Sequence, residues 1–234
     1  MNTNPEWYPD ESIQVGVDYT DAELAADYDN QHERFRDFAK EAADIVATLD
    51  LNADATLLDI GCGTGGLTTH LAGVCRHVYA VDVSDVMLAM LNGKIEGQGL
   101  RNITTAQAGF LSYEHEGDAL DAIVSNINFH HLPDFWKQLA LCRFYDLLKP
   151  GGKLFMADVV FSFAPREAEQ HIDTWVADMR ETAGNQMADE AIVHVRDEFS
   201  TWNWIMTGLL ERAGFTIDTE YEMMPHTRAY VCSK

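Results

Sequence analysis

The sequence predicts an α/β fold: a doubly wound, mostly parallel seven-stranded sheet with a terminal antiparallel hairpin and helices on both faces. Three observations carry this. Short apolar runs alternate with helical patterns between Thr56 and Val160, and a glycine-rich loop, Gly61-Cys62-Gly63-Thr64-Gly65-Gly66, follows the first run. The chain then closes on two strand-like runs, Phe215 to Tyr221 and Arg228 to Ser233, with Pro225 in the turn. Repeated strand-helix units force parallel pairing with right-handed crossovers, which gathers the strand C-termini on one rim where ligands bind.

In chain order, residues 1–50 form an N-terminal helical segment, because Leu24, Tyr28, Phe35, Phe38, Ala42, Ile45 and Leu49 recur at helical spacing. Residues 51–234 form the main domain. Its parallel strands are expected at Thr56–Ile60, Val78–Asp82, Ile103–Ala106, Leu120–Asn126 and Lys153–Val160. Helices are expected over Gly66–Val74, from an N-cap at Ser84 through Ile95, and from Asp134. The last should turn Phe135, Leu139, Cys142 and Leu148 inward and stop at Pro150-Gly151-Gly152. After Val160 the pattern breaks into a helical insert, about 161–199, with helical character over Ala168–Thr182 and Asp189–Val195. Ser200 then caps a helix through Arg212 that ends at Gly214.

The chain of 234 residues carries 16 basic and 38 acidic side chains, a formal net charge of −22. Phosphate contacts need clustered Lys and Arg, so nucleic acid is excluded as a partner. The acid is concentrated in the flanks: residues 1–50 hold 13 acidic and 3 basic side chains, residues 165–225 hold 13 and 4, and residues 51–164 hold 12 and 7. The flanks read as solvated acidic surface around a nearly balanced core. With no long apolar run and no secretory pattern in Met1–Ser12, a cytoplasmic protein without a membrane partner is expected. Cys62, Cys75, Cys142 and Cys232 lack C-x-x-C spacing, which points to reduced thiols and no zinc site.

The glycine loop lies between a strand and a helix, where backbone N–H groups approach a ligand closely. Gly61-x-Gly63-x-x-Gly66 with Asp82, 21 residues after Gly61 at the end of the next strand, is the arrangement that holds a nucleotide ribose. By itself it fits NAD as well as any other nucleoside cofactor.

Leu57-Leu58-Asp59-Ile60-Gly61-Cys62-Gly63-Thr64-Gly65-Gly66 resembles the first motif of the class I (Rossmann-like) S-adenosylmethionine-dependent methyltransferases of small-molecule type. Asp59 separates the two cofactors, since a carboxylate there repels a pyrophosphate and attracts a sulfonium cofactor carrying an α-ammonium group. Ala80-Val81-Asp82-Val83-Ser84 with Met87, Ile123 to Leu132, and Leu147 to Gly152 resemble the later motifs, in order. The resemblance implies S-adenosylmethionine as cofactor, S-adenosylhomocysteine as product and no metal. It implies cofactor contacts at Tyr28, Asp59, Gly61, Cys62, Gly63, Gly65, Asp82, Val83, Met87, Gly109, Phe110 and Asn126. Within it, Asp82 takes the ribose hydroxyls, Val83 and Met87 the adenine, and Asn126 the methionine end. One departure is the loop Gln107-Ala108-Gly109-Phe110-Leu111, which lacks the acidic residue that often accepts the adenine amino group. Backbone recognition with Phe110 on the ring is the expected substitute; a plain core position is the other reading of Phe110.

Methyl transfer is an in-line displacement, so the enzyme mainly aligns donor and acceptor. His131 and His130, at the mouth of the fourth strand, are candidate bases, with a supporting or helix-capping role as the alternative. The acceptor pocket is expected from the two helical flanks closing over the rim, with Tyr19, Trp175 and Trp202 lining it. Asn126-Ile127-Asn128-Phe129 has the spacing of the Asn-Pro-Pro-Tyr motif of DNA methyltransferases but neither proline, and the acidic surface opposes DNA. The predicted function is methylation of a small molecule on oxygen, nitrogen or sulfur. The alternatives are a non-catalytic S-adenosylmethionine sensor and an NAD-dependent oxidoreductase, for which no hydride-transfer constellation is evident.

Overall fold

The computed structural model describes residues 5–13, 15–16 and 36–234. Tyr19, Tyr28 and the helical pattern before Arg36 lie outside the described residues. The first described helix, α1 (Phe38–Leu49), is capped by Asp37, whose side chain accepts from the Lys40 N–H, and buries Ala42, Ile45 and Leu49 at helical spacing.

The sheet is built from β1 (Thr56–Ile60), β2 (His77–Asp82), β3 (Ile103–Gln107), β4 (Leu120–Asn126), β5 (Leu148–Phe161), β7 (Thr216–Met224) and β8 (Thr227–Ser233), in the order β3-β2-β1-β4-β5-β8-β7. The first five are parallel, and β8 runs antiparallel to both β5 and β7. The seven strands and the closing hairpin agree with the sequence reading. A further two-residue strand, β6 (Thr201–Trp202), pairs with the end of β5.

Alternation along each strand sends its residues to two cores. On one face Leu57, Ala122 and Val124 meet α1 and α2 (Thr68–Ala72), and beside them Ala80 meets α3 (Asp85–Gln98). On the other face Leu58, Ile60 and Ile123 pack with Phe144 of α4 (Asp134–Leu147) and Leu210 of α7 (Asn203–Ala213). Ser84 caps α3 as expected, accepting from the Met87 N–H. Helices α5 (Ala168–Thr182) and α6 (Asn185–Asp197) form the insert and pack on each other. No helix among the described residues is long and apolar enough to cross a membrane.

Three local expectations change. Phe135 is 63% exposed, because the inward row of α4 is Lys137, Ala140, Leu141 and Phe144, at i, i+3, i+4 and i+7, which leaves Phe135 on the outer side. The chain becomes extended at Leu148, so Pro150-Gly151-Gly152 lie within β5 rather than beyond a helix end. Ser200 caps no helix: its hydroxyl meets His194 at 2.5 Å, Thr201 and Trp202 pair with Val160 and Phe161, and α7 starts only at Asn203.

Candidate active site

The C-terminal ends of β3, β2, β1 and β4 open into one cavity of about 420 Å³, within the size range of small-molecule sites. Strand order dictates its layout: Ala108, Gly109 and Phe110 follow β3, Asp82 and Val83 end β2, the glycine loop follows β1, and Asn126 ends β4.

The glycine loop needs its glycines. Gly61, Gly63 and Gly65 adopt φ of 71°, 54° and 81°, the left-handed region that side chains disfavour. At Gly61 a Cβ would also stand 2.2 Å from Nδ2 of Asn128. The loop is tied to β2 on both sides, since Gly61 N–H donates to the Val81 carbonyl and Gly63 N–H to Asp82 Oδ2, 2.8 Å away. Asp82 Oδ1 accepts from Ser84 N–H at 2.9 Å. A carboxylate has about four acceptor sites, and the N–H groups of Gly63, Ser84 and Val83 take three of them, which leaves acceptor capacity for a ligand hydroxyl. Burial pushes the Asp82 pKa up, against the pull of these N–H groups.

Asp59 is 3% exposed and accepts from the Thr68 hydroxyl at 2.6 Å. Burial pushes its pKa up to about 6, with the Thr68 hydrogen bond opposing and the Asp82 charge adding to the rise. Such a carboxylate is poised to receive a cation. Across the cavity the Asn126 amide is buried, and neither its nitrogen nor its oxygen has a hydrogen-bond partner among the described residues. Buried amides are rarely left so, and this one faces the cavity with both donor and acceptor capacity unused.

His130 and His131 occupy a 3-10 turn (Phe129–His131) and have different surroundings. His131 lines the cavity; burial and then the neighbouring His130 lower its pKa to about 4, so it is neutral near pH 7. His130 is enclosed behind it, its Nδ1 2.5 Å from Asp158 Oδ1 on β5. Burial disfavours the His130 cation, but Asp158 and then Glu198 outweigh it and raise the pKa.

Of the residues expected at the site, Asp59, Gly61, Cys62, Gly63, Asp82, Val83, Met87, Gly109, Phe110, Asn126 and His131 all line this cavity. Phe110 lines the cavity and also stands edge-on to the core residue Phe129 at 5.3 Å. Gly65 is not in the lining; its N–H closes the loop on the Cys62 carbonyl, and a Cβ there would meet Leu91. Trp175 and Trp202 also stand elsewhere. Trp175 lies edge-on to His194 and His226, and Trp202, in β6 beside Phe161 at the end of β5, packs against Phe161 and Phe163.

The cavity's outer wall comes instead from the N-terminal segment, with Pro9, Asp10, Glu11, Ile13 and Val15, and the insert contributes only Phe199 to the lining. Trp7 stacks on Trp136 at 5.7 Å, while the Glu11 carboxylate accepts from Leu111 N–H at 3.0 Å and from the Ser112 hydroxyl at 2.7 Å. Glu11 thus brings a carboxylate to the loop after β3 that lacks one of its own. No motif announces Glu11, Trp136 or Phe199 in the sequence, because they reach the cavity only through tertiary contacts. Asn128 and Thr68 were also missed. The Asn128 amide bonds the Ile60 and Gly61 carbonyls at 2.7 and 3.0 Å and buckles the end of β4 to the glycine loop.

Comparison with known proteins agrees with this geometry. Residues 57–152 match the methyltransferase domain family. The chain is 30% identical to an uncharacterized methyltransferase of Bacillus mycoides over 174 residues, 74% of this chain and 76% of that one. It is 31% identical to another from Bacillus cytotoxicus over 161 residues, 69% of each. The fold superposes on an S-adenosylmethionine-dependent methyltransferase from Clostridium acetobutylicum with a TM-score of 0.66 at 14% identity, covering 90% of this chain and 97% of that one. The carboxylates of Asp59 and Asp82 beside the glycine loop and these relatives agree, and the chain belongs to the class I S-adenosylmethionine-dependent methyltransferases.

Proposed function

We propose that the enzyme methylates a small molecule that enters the β4 end of the cavity, between Asn126, His131, Phe199 and Trp136. The observation that carries this reading is that a single cavity joins the Asp82 and glycine-loop side to the Asn126 and His131 side. S-adenosylmethionine, when bound, supplies a methyl group already activated on a sulfonium. The protein's own work is alignment and exclusion of water. Asp82 and the loop N–H groups hold the nucleoside, Asp59 the ammonium and Asn126 the polar methionine end. The N-terminal segment closes the outer wall through Glu11 and the Trp7–Trp136 stack.

His131 is the candidate base. Held neutral, it offers a lone pair to an acceptor that becomes acidic as its new bond to carbon forms, which even a weak base can serve. His130 lies behind it and acts only through it. The net charge of −22 supports a small, non-polyanionic acceptor. Calorimetry with S-adenosylmethionine, S-adenosylhomocysteine and NAD tests the donor side; NAD binding without a response to the other two would overturn it. Incubation with labelled donor and metabolite extracts tests the acceptor side. A labelled small molecule is expected, and none across diverse extracts would favour a non-catalytic sensor.

A further inference from the structure

We propose that His130, His131 and Glu198 form a binding site for a divalent transition-metal ion of the zinc or ferrous class at the acceptor end of the cavity. Each residue offers one ligand atom, and these three atoms all lie within 4.8 Å of one another. Ligands about 2.0–2.2 Å from a tetrahedral ion stand roughly 3.4 Å apart. His130 Nε2 and Glu198 Oε2 are already at that spacing, 3.4 Å, and the widest pair needs to close by no more than about 1.4 Å.

The surroundings hold these groups as metal ligands are usually held. Asp158 Oδ1 accepts from His130 Nδ1 at 2.5 Å, which turns Nε2 towards Glu198, and the ion would take the place of a proton on Nε2. Glu198 also contacts His194 Nδ1, and His194 Nε2 meets the Ser200 hydroxyl at 2.5 Å. The segment bearing Glu198 is clamped from three sides: Phe199 N–H donates to the His130 carbonyl at 2.9 Å, the Lys137 ammonium donates to the Phe199 carbonyl, and the Thr201 hydroxyl donates to Asp134 at 3.1 Å. Two buried carboxylates, Asp158 and Glu198, therefore converge on this cluster, and a dication offsets their charge.

Two imidazoles with one carboxylate suit zinc, iron(II) or cobalt(II) rather than magnesium or calcium, which prefer oxygen ligands. His131 and Phe199 line the cavity, so the remaining coordination positions face the acceptor. The ion would take an acceptor oxygen or nitrogen as a further ligand, and His131 would then be a ligand rather than a base. That last step rests on the proposed function; the binding of the ion does not. It also departs from the metal-free site expected from sequence, because Glu198 comes from the insert and Asp158 from β5, at no recognisable spacing from the two histidines.

The test uses the full chain, loaded with zinc chloride or cobalt(II) chloride alone and then gel-filtered. Elemental analysis should find about one ion per chain, and the cobalt form should show visible ligand-field absorption of low-coordinate type. His131→Ala, on the cavity wall, and Glu198→Gln should each lower affinity by about 10-fold or more, with folding checked by circular dichroism. His130→Ala is avoided because it strips Asp158 of its partner. Wild-type protein that retains no stoichiometric ion, or variants that retain as much as wild type, would overturn the proposal. Calorimetry with S-adenosylhomocysteine on the same preparations reads the donor side separately. Cofactor binding without metal binding refutes the metal site alone, and metal binding without cofactor binding refutes the functional reading alone.

Discussion

Cofactor affinity should depend on pH through Asp59. In an unfolded chain an aspartate titrates near 3.9, whereas burial raises Asp59 to about 6. The folded, ligand-free protein therefore binds a proton that the unfolded chain releases between about pH 4 and 6. The stability this proton contributes is complete below about pH 4 and lost as pH rises through 6, so near neutrality the ionised Asp59 costs about 3 kcal/mol. A ligand ammonium beside the carboxylate returns its pKa to the ordinary range. Affinity should then be nearly flat above about pH 6.5, fall roughly 10-fold from pH 7 to 5, and fall roughly 50-fold by pH 4. The ligand's α-ammonium stays charged across this window, since such groups titrate at about 7.7–8.0. Titration calorimetry with S-adenosylhomocysteine at pH 5, 6 and 7, in buffers of different ionisation enthalpy, counts the protons. About half a proton should be released at pH 6. Asp59→Asn can keep the Thr68 hydrogen bond and removes the charge, so it should bind more weakly at pH 7 and lose the pH dependence. Equal wild-type affinity at pH 5 and 7, or an unchanged slope in Asp59→Asn, would refute the reasoning.

Asp82→Ala removes the carboxylate that orders Gly63 and Ser84 as well as its remaining acceptor capacity, and a loss of cofactor affinity of about 100-fold or more is expected by the same calorimetry. Gly61→Ala places a methyl 2.2 Å from Asn128 Nδ2 at φ 71°, which should cost at least about 2 kcal/mol and lower the thermal midpoint; an unchanged midpoint would show that the loop is not held as described. Trp136→Ala removes the ring on which Trp7 and Tyr8 pack, at 5.7 and 5.3 Å, and should speed proteolytic cleavage of the N-terminal segment and reduce turnover while leaving the thermal midpoint nearly in place.

The sequence alone determined the sheet and the donor half of the site. Periodicity and turn residues are local properties: the run Leu57–Ile60 ending in glycines, Ser84 before α3 and Pro225 between β7 and β8 can each be read without knowing what they pack against. Asp59, the loop glycines and Asp82 were legible for the same reason, since strand ends that share a rim are brought together by topology. Tertiary structure decided the rest. Trp175 and Trp202 have the size and helical or strand spacing of pocket residues, yet they pack on His194 and His226 and on Phe161 and Phe163, and the wall they were expected to supply comes from Pro9, Glu11, Ile13 and Val15. Phe135 looked inward on spacing but faces outward, because the buried row lies two positions further on, at Lys137, Leu141 and Phe144, where the Lys137 ammonium finds the Phe199 carbonyl. The cluster of His130, His131 and Glu198 with Asp158 behind it joins a turn, a strand and an insert, and no local pattern encodes a meeting of side chains so distant in the chain.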